Sequence, residues 1–306
     1  MNPAGEILRQ QTPEVLAAAK RLSRAPKIAW RTIGILIYCI ASFVVVDTLA
    51  VLGYLPLWAG MLINGVTAYY LFSVVHDAIH GAVSSNARIN DWVGRIALLS
   101  FLPQVTLELF RWGHIRHHRL ASGALDPDRW MHVGPWWQLP LRWVTVDFYY
   151  LYYVLKHGDT KAHRYLRQSM VTVAGTVLAA STIIAAGYGW ELLFLWFIPA
   201  RITKLLVGFS FFWLPHVPHD VSQEENYTRA TTVRLGNEWL MSPLLQWQNF
   251  HLMHHMFPSA PFYNNARLWH LLEPSLRRYD LAIQSGWRIH PEIHVAEKDS
   301  ALVAHQ

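Results

Sequence analysis

Apolar positions in this 306-residue chain gather into two long runs instead of alternating stripes. From Thr32 to Val75 the only charged residue is Asp47. That run is long enough for two membrane crossings, because a helix rising 1.5 Å per residue needs about 20 residues to cover a hydrocarbon core about 30 Å thick. Gly53-Tyr54-Leu55-Pro56 supplies the break between them. From Ser169 to Pro215 the pattern recurs, with Gly187-Tyr188-Gly189 as the break. Four spans are predicted, at about 32–52, 56–76, 169–187 and 190–213. Each must be a helix, since backbone polar groups in lipid have to be bonded internally. The predicted fold class is therefore an all-α integral membrane protein, a single membrane-embedded domain of two helical hairpins. A helical cap would be formed by 77–168 and 214–285, followed by a polar tail over 286–306.

Two shorter segments look apolar but cannot span. Ile96–Leu107 contains Pro103, and Leu141–Leu155 packs Trp143, Phe148, Tyr149, Tyr150, Tyr152 and Tyr153 around Arg142 and Asp147. Both are expected to lie at the membrane interface or dip into it. Arg9, Lys20, Arg21, Arg24, Lys27 and Arg31 precede the first span, while the two breaks hold no Lys or Arg. The positive-inside rule then puts the N-terminus, segment 77–168 and the C-terminal tail in the cytoplasm, which in a bacterium means the inner membrane. The first 31 residues lack the apolar core and cleavage site of a signal peptide. Arg201 and Lys204 fall inside the fourth span; the expectation is that this helix rises early into the cap, or that both side chains snorkel.

Composition agrees with this pattern. Only 15% of residues are charged against 53% hydrophobic, where a soluble domain carries about 25% charged residues. That balance excludes a disordered chain, a coiled coil and a nucleic-acid-binding arm. The lone Cys39 cannot form an internal disulfide.

Histidine is the residue in excess, with 17 in the chain. Eight of them fall in three clusters: His76-Asp77-Ala-Ile-His80, His114-Ile-Arg-His117-His118 and His251-Leu-Met-His254-His255. Residues three and four apart share a helix face, so each cluster aims two or three imidazoles at one point. Imidazole suits iron, copper, zinc and nickel. Eight clustered histidines exceed the four ligands of a structural zinc, so two metals are the natural count. All three clusters fall on the same side of the membrane under the topology above. His216 and His219 leave the fourth span towards that side, and one of them is a candidate to complete a coordination shell. Asp77, Asp220 and Asn249 adjoin clustered histidines and are candidates to orient them by hydrogen bonds, Asn249 alternatively as an oxygen ligand. His132, His157, His163, His270, His290, His294 and His305 stand alone and read as surface or core residues. Asp126, Asp128 and Arg129 are read as ordering a polar loop, with a headgroup or electron-donor contact as the alternative.

The three clusters, in order, resemble the HxxxH, HxxHH and HxxHH boxes of the membrane fatty-acid desaturase/hydroxylase superfamily, over roughly residues 30–270. The stretch from Gln248 to Tyr263, and more loosely Leu214–Asp220, also resembles bacterial carotenoid-ring hydroxylases. The resemblance implies two non-haem irons held by the box histidines. They would use O2 and two electrons to desaturate or hydroxylate an unactivated C–H position of a lipid, either a fatty acyl chain or a carotenoid, with a carotenoid ring hydroxylase or ketolase as the alternative to an acyl-lipid desaturase. No Gly-rich dinucleotide fingerprint is present, so a separate ferredoxin-like donor is expected to dock on the basic face. Two readings from other classes compete. In an intramembrane zinc peptidase Asp77 would stand for the glutamate of HExxH. A metal transporter would instead place its site near the midplane.

Overall fold

The computed structural model describes residues 2–296; His305 and the end of the expected polar tail lie outside the described residues. Four helices are long and apolar enough to cross a membrane: Trp30–Val51, Leu57–Ile79, Thr160–Ala185 and Gly189–His216. The turns between them use Gly53 (φ +78°) and Gly187 (φ +94°) in the left-handed region, where a Cβ is disfavoured. The third span starts well before residue 169, because the Asp159 carboxylate caps it at Ala162 N (2.8 Å). Its first turns carry Lys161, His163, Arg164 and Arg167, so apolar patterning alone shows only the part that lies in lipid.

The spans are tied by contacts that suit lipid. Asn64 Nδ2 donates to Asp47 Oδ1 (2.7 Å) and to the Leu195 carbonyl (2.9 Å), joining the first, second and fourth spans. Leu195 lies in a π-helical stretch, Leu193–Phe197, which interrupts the regular hydrogen-bond ladder. Gly65 permits a close approach: a Cβ there would meet Ile202 Cγ2 at 2.8 Å. A second π-helical stretch, Gly208–Trp213, precedes His216.

Segment 77–168 is helical, as expected. Ala87–Phe101 is capped by Asn86 and Leu107–Leu120 by Thr106, with Pro103 in the gap. The aromatic segment forms two helices, Leu139–Val144 and Val146–His157, which pack beside the fourth span. They also overturn the snorkelling expectation. Asp147 on Val146–His157 accepts Arg201 Nη1 at 3.0 Å and Lys204 Nζ at 2.6 Å. Lys204 is only 7% exposed.

The chain is mostly helical but not all-α. Strand β1 (Thr232–Leu235) pairs in parallel with β2 (Leu281–Ser285), and β3 (Glu292–His294) pairs antiparallel to β2. Three to five residues leave too short an alternation to register beside membrane-length apolar runs. β3 also gives part of the supposed tail a fixed place. The second apolar core lies under this sheet, where Phe250, Leu252, Leu268, Trp269 and Leu272 pack with Ile7 and Ala19 from the N-terminal helices. The N-terminal residues therefore belong to this second core, whereas their charges had suggested only an orientation.

Candidate metal centre

His76 lies in the last turn of the second span and His80 caps its C-terminal end. The second box lies on Leu107–Leu120 and the third on His251–Met256. At about 100° per residue, positions i and i+4 point within about 40° of each other, while i+3 turns about 60° the other way. In each HxxHH box the outer pair therefore shares a direction and the middle histidine takes another.

The structure uses that divergence. Nitrogens of His76, His80, His114, His118 and His254 lie within 4.8 Å of one another, and so do those of His117, His216, His251 and His255. The second box gives its outer pair to the five-histidine cluster and His117 to the four-histidine cluster; the third box does the reverse. His118 and His255 stack at 4.2 Å between centroids and form a shared wall.

Hydrogen bonding shows what the clusters can hold. In the four-histidine cluster every Nδ1 points outward to an acceptor. His251 reaches Gln248 Oε1 (2.6 Å), His255 reaches Gln223 Oε1 (3.1 Å), His117 reaches Asp126 Oδ1 (2.9 Å) and His216 reaches the Ala230 carbonyl (3.3 Å). An acceptor at Nδ1 fixes the proton there and leaves a lone pair on Nε2. Those Nε2 atoms then face one another, His251 to His255 at 3.1 Å and His251 to His216 at 3.2 Å. Facing lone pairs repel unless a cation lies among them. In the other cluster, Nε2 atoms of His114 and His118 stand 3.1 Å apart and those of His118 and His254 2.9 Å. Nε2 of His76 and of His80 is buried with no partner at all. The donor set thus fits metal ions.

Protonation supports the same fit. Burial and the neighbouring imidazoles hold His114, His118, His251, His254 and His255 well below the usual histidine range, as neutral ligands. His117 differs. Burial would lower it too, but the Asp126 and Asp128 carboxylates outweigh burial and push it up to about 9.

The remaining candidates are distributed as follows. His216 joins a cluster and His219 does not; His219 stacks on His132 (4.9 Å), which itself stacks on His216 (5.2 Å). His132 is therefore no isolated histidine but a buried ring behind a ligand candidate. Asp77 turns away from its box, accepting from Thr32 Oγ1 (3.0 Å) and Phe262 N (3.1 Å), and so ties the first span to the segment around Phe262. Asp220 pairs with Arg229, and Asn249 Nδ2 donates to Ser242 Oγ (3.1 Å). Neither Asp220 nor Asn249 bonds a clustered histidine. Asp126 orders its loop through Ser122 N (2.7 Å) and Asp128 N (2.9 Å), as expected, but it also anchors His117. Gln248 and Gln223 escaped the sequence reading. Gln248 had a signal, three residues before His251 on one helical face; Gln223 had none. His157, His163, His270, His290 and His294 join neither cluster.

An apolar cavity of about 290 Å³ runs beside the first cluster, lined by Phe72, Phe101, Phe110, Leu151, Val173 and Phe212 among others. Phe72 lies 6.2 Å from the His76 ring, and Gly113, next to His114, also lines the cavity. Two of the lining residues, Phe72 and Gly113, therefore lie next to the five-histidine cluster.

The model of the fatty acid desaturase family matches residues 15–287. The chain belongs to that family. It is similar to a β-carotene ketolase of a Paracoccus species, 28% identical over 221 residues, 69% of this chain and 79% of that protein. It is also similar to the chloroplastic omega-6 fatty acid desaturase of Spinacia oleracea, 24% identical over 323 residues, 90% of this chain and 67% of that protein. An sn-1 acyl-lipid omega-3 desaturase (ferredoxin) of a Synechocystis species is 22% identical over 245 residues, covering 71% and 67%. The desaturase-family chain is thus an oxidoreductase of the lipid desaturase/hydroxylase type, embedded in a membrane by its four apolar helices.

Proposed function

We propose that the chain is an O2-dependent di-iron enzyme that desaturates or hydroxylates an unactivated C–H position of a membrane lipid. The observation that carries this reading is the convergence of nine histidines in two clusters beside an apolar cavity. His76, His80, His114, His118 and His254 would hold one iron, and His117, His216, His251 and His255 the other. When bound, the irons supply oxidation of the C–H bond by O2 with two external electrons. The protein's own residues prepare that chemistry. Gln248, Gln223, Asp126 and the Ala230 carbonyl keep Nε2 of four ligands turned inward. Phe72, Phe110 and Phe212 keep water from the reacting carbon and hold the chain against the first cluster.

Electrons would come from a separate ferredoxin-like donor, a reading supported by the ferredoxin in the name of the Synechocystis relative. The basic residues before the first span support a cytoplasmic placement of both ends and of the histidine cap in an inner membrane, with the four spans as two hairpins in a single domain. Within this reading the substrate is an acyl chain or a carotenoid. The Paracoccus ketolase favours carotenoid oxygenation, and the Spinacia relative favours acyl desaturation. Expression in a host supplied with carotenoids, followed by pigment and fatty-acid analysis, tests both. A new oxygenated pigment or a new double bond is expected, and it should vanish in a His254→Ala chain. Unchanged pigments and lipids, with iron loaded and a reductant present, would overturn the proposal.

A further inference from the structure

The apolar cavity contains a charged pair that the chemistry at the histidines does not use. Asp147 and Lys204 both line it, and Arg201 shares the Asp147 carboxylate. Two cations face one carboxylate, leaving an unmatched positive charge in a membrane-buried group. Lys204 Nζ carries three protons and meets one partner, Asp147, while Arg201 Nε is buried with no partner. Such groups are costly in lipid and mark functional positions. Purely structural pairing would be served by a single cation.

Position decides what they recognise. Lys204 lies 12 residues before His216 on the same helix, so it stands about 18 Å along the axis from the histidine end. It lies 15 residues from Gly189 at the other end, about midway through the span. A phosphate headgroup stays at the interface, so the group reaching this depth is a neutral oxygen on an otherwise apolar chain. We infer that Lys204, held by Asp147, is a binding subsite for a hydroxyl or carbonyl oxygen on the substrate, at the end of the cavity remote from the histidines. This rests on the proposed use of the cavity as the substrate chamber. Lys204 acts there as a specificity determinant, selecting apolar molecules that already bear an oxygen remote from the carbon to be attacked.

Competition against radiolabelled hexadecane, retained by the iron-loaded full chain in nanodiscs above empty nanodiscs, tests the inference. Hexadecan-1-ol should displace the label about tenfold better than unlabelled hexadecane, as a hydrogen bond to a charged group implies. Hexadecyl phosphate should show no such advantage. Lys204→Met should bring alcohol and alkane together, and Lys204→Arg should restore the preference. Equal competition by alcohol and alkane in the unsubstituted chain overturns the subsite while leaving the chamber intact; that comparison needs no variant to fold. A preference for the phosphate, or an alcohol preference that survives Lys204→Met, also overturns it. If hexadecane is not retained above empty nanodiscs, the chamber reading fails and the subsite fails with it.

Discussion

The two histidine clusters are built from the same boxes but held differently. The four-histidine cluster is clamped from behind: each Nδ1 has an acceptor, from two glutamines, an aspartate and a backbone carbonyl. For the five-histidine cluster no Nδ1 acceptor is found among the described residues; its rings are placed by packing, His76 against Phe211 at 5.5 Å and against His254 at 4.3 Å. One cluster is fixed by hydrogen bonds and the other by number and burial. The clamped cluster takes four ligands from three separate segments and needs orientation. The packed cluster has five ligands and lies beside the cavity, with Phe72 between. The difference teaches that the same HxxHH spacing specifies directions for imidazoles, while the surroundings decide how firmly each is aimed.

The largest expected effect comes from removing a ligand of the clamped cluster that no box contains. His216→Ala should lower bound iron from two per chain towards one and depress product formation beyond the roughly 10–100-fold that outer partners cost. His219→Ala should leave the iron content unchanged. Equal iron loss in the two variants, by metal analysis of purified protein, would erase the distinction between them. The clamp itself is next. Gln248→Ala or Asp126→Asn should weaken one iron about 10–100-fold and spare the other, giving a two-step chelator titration.

Protonation separates the clusters by a smaller, directly measurable amount. The metal-free His117, held at about 9, carries a proton at neutral pH where the other ligands outside the spans are neutral. Filling the clamped cluster should therefore release a proton, and its affinity should rise with pH until about 9 and then level off. Filling the five-histidine cluster should release none. Proton release on adding iron(II) to metal-free protein in weak buffer checks this, and Asp126→Asn should reduce it. The smallest effect belongs to Tyr150→Phe, which takes a hydroxyl donor from Asp128. A few-fold loss of affinity at the clamped iron alone is expected.

Much of this was legible in the sequence. Apolar run length gave four spans, because lipid leaves helices no alternative, and ligand spacing gave eight of the nine converging histidines. The ninth, His216, was one of two candidates, and what stayed hidden was its non-local placing. His216 is placed by the Ala230 carbonyl and by Gln284 holding the Leu214 carbonyl (3.2 Å), contacts that depend on a small sheet joining residues about 50 apart. Gln223 meets His255 from a loop with no periodicity. Asp77 looked like a partner of its histidine neighbours, but adjacency along a helix turns side chains apart, and it faces Thr32 instead. Arg201 and Lys204 were visible as charges in lipid, and the structure supplied the partner, Asp147, from a segment that reads as an interfacial helix.

The central claim is that two irons sit in the two clusters, and metal analysis of the purified full chain tests it most directly. The account predicts about two iron atoms per chain, falling towards one in His216→Ala. A single zinc per chain with no iron would contradict it.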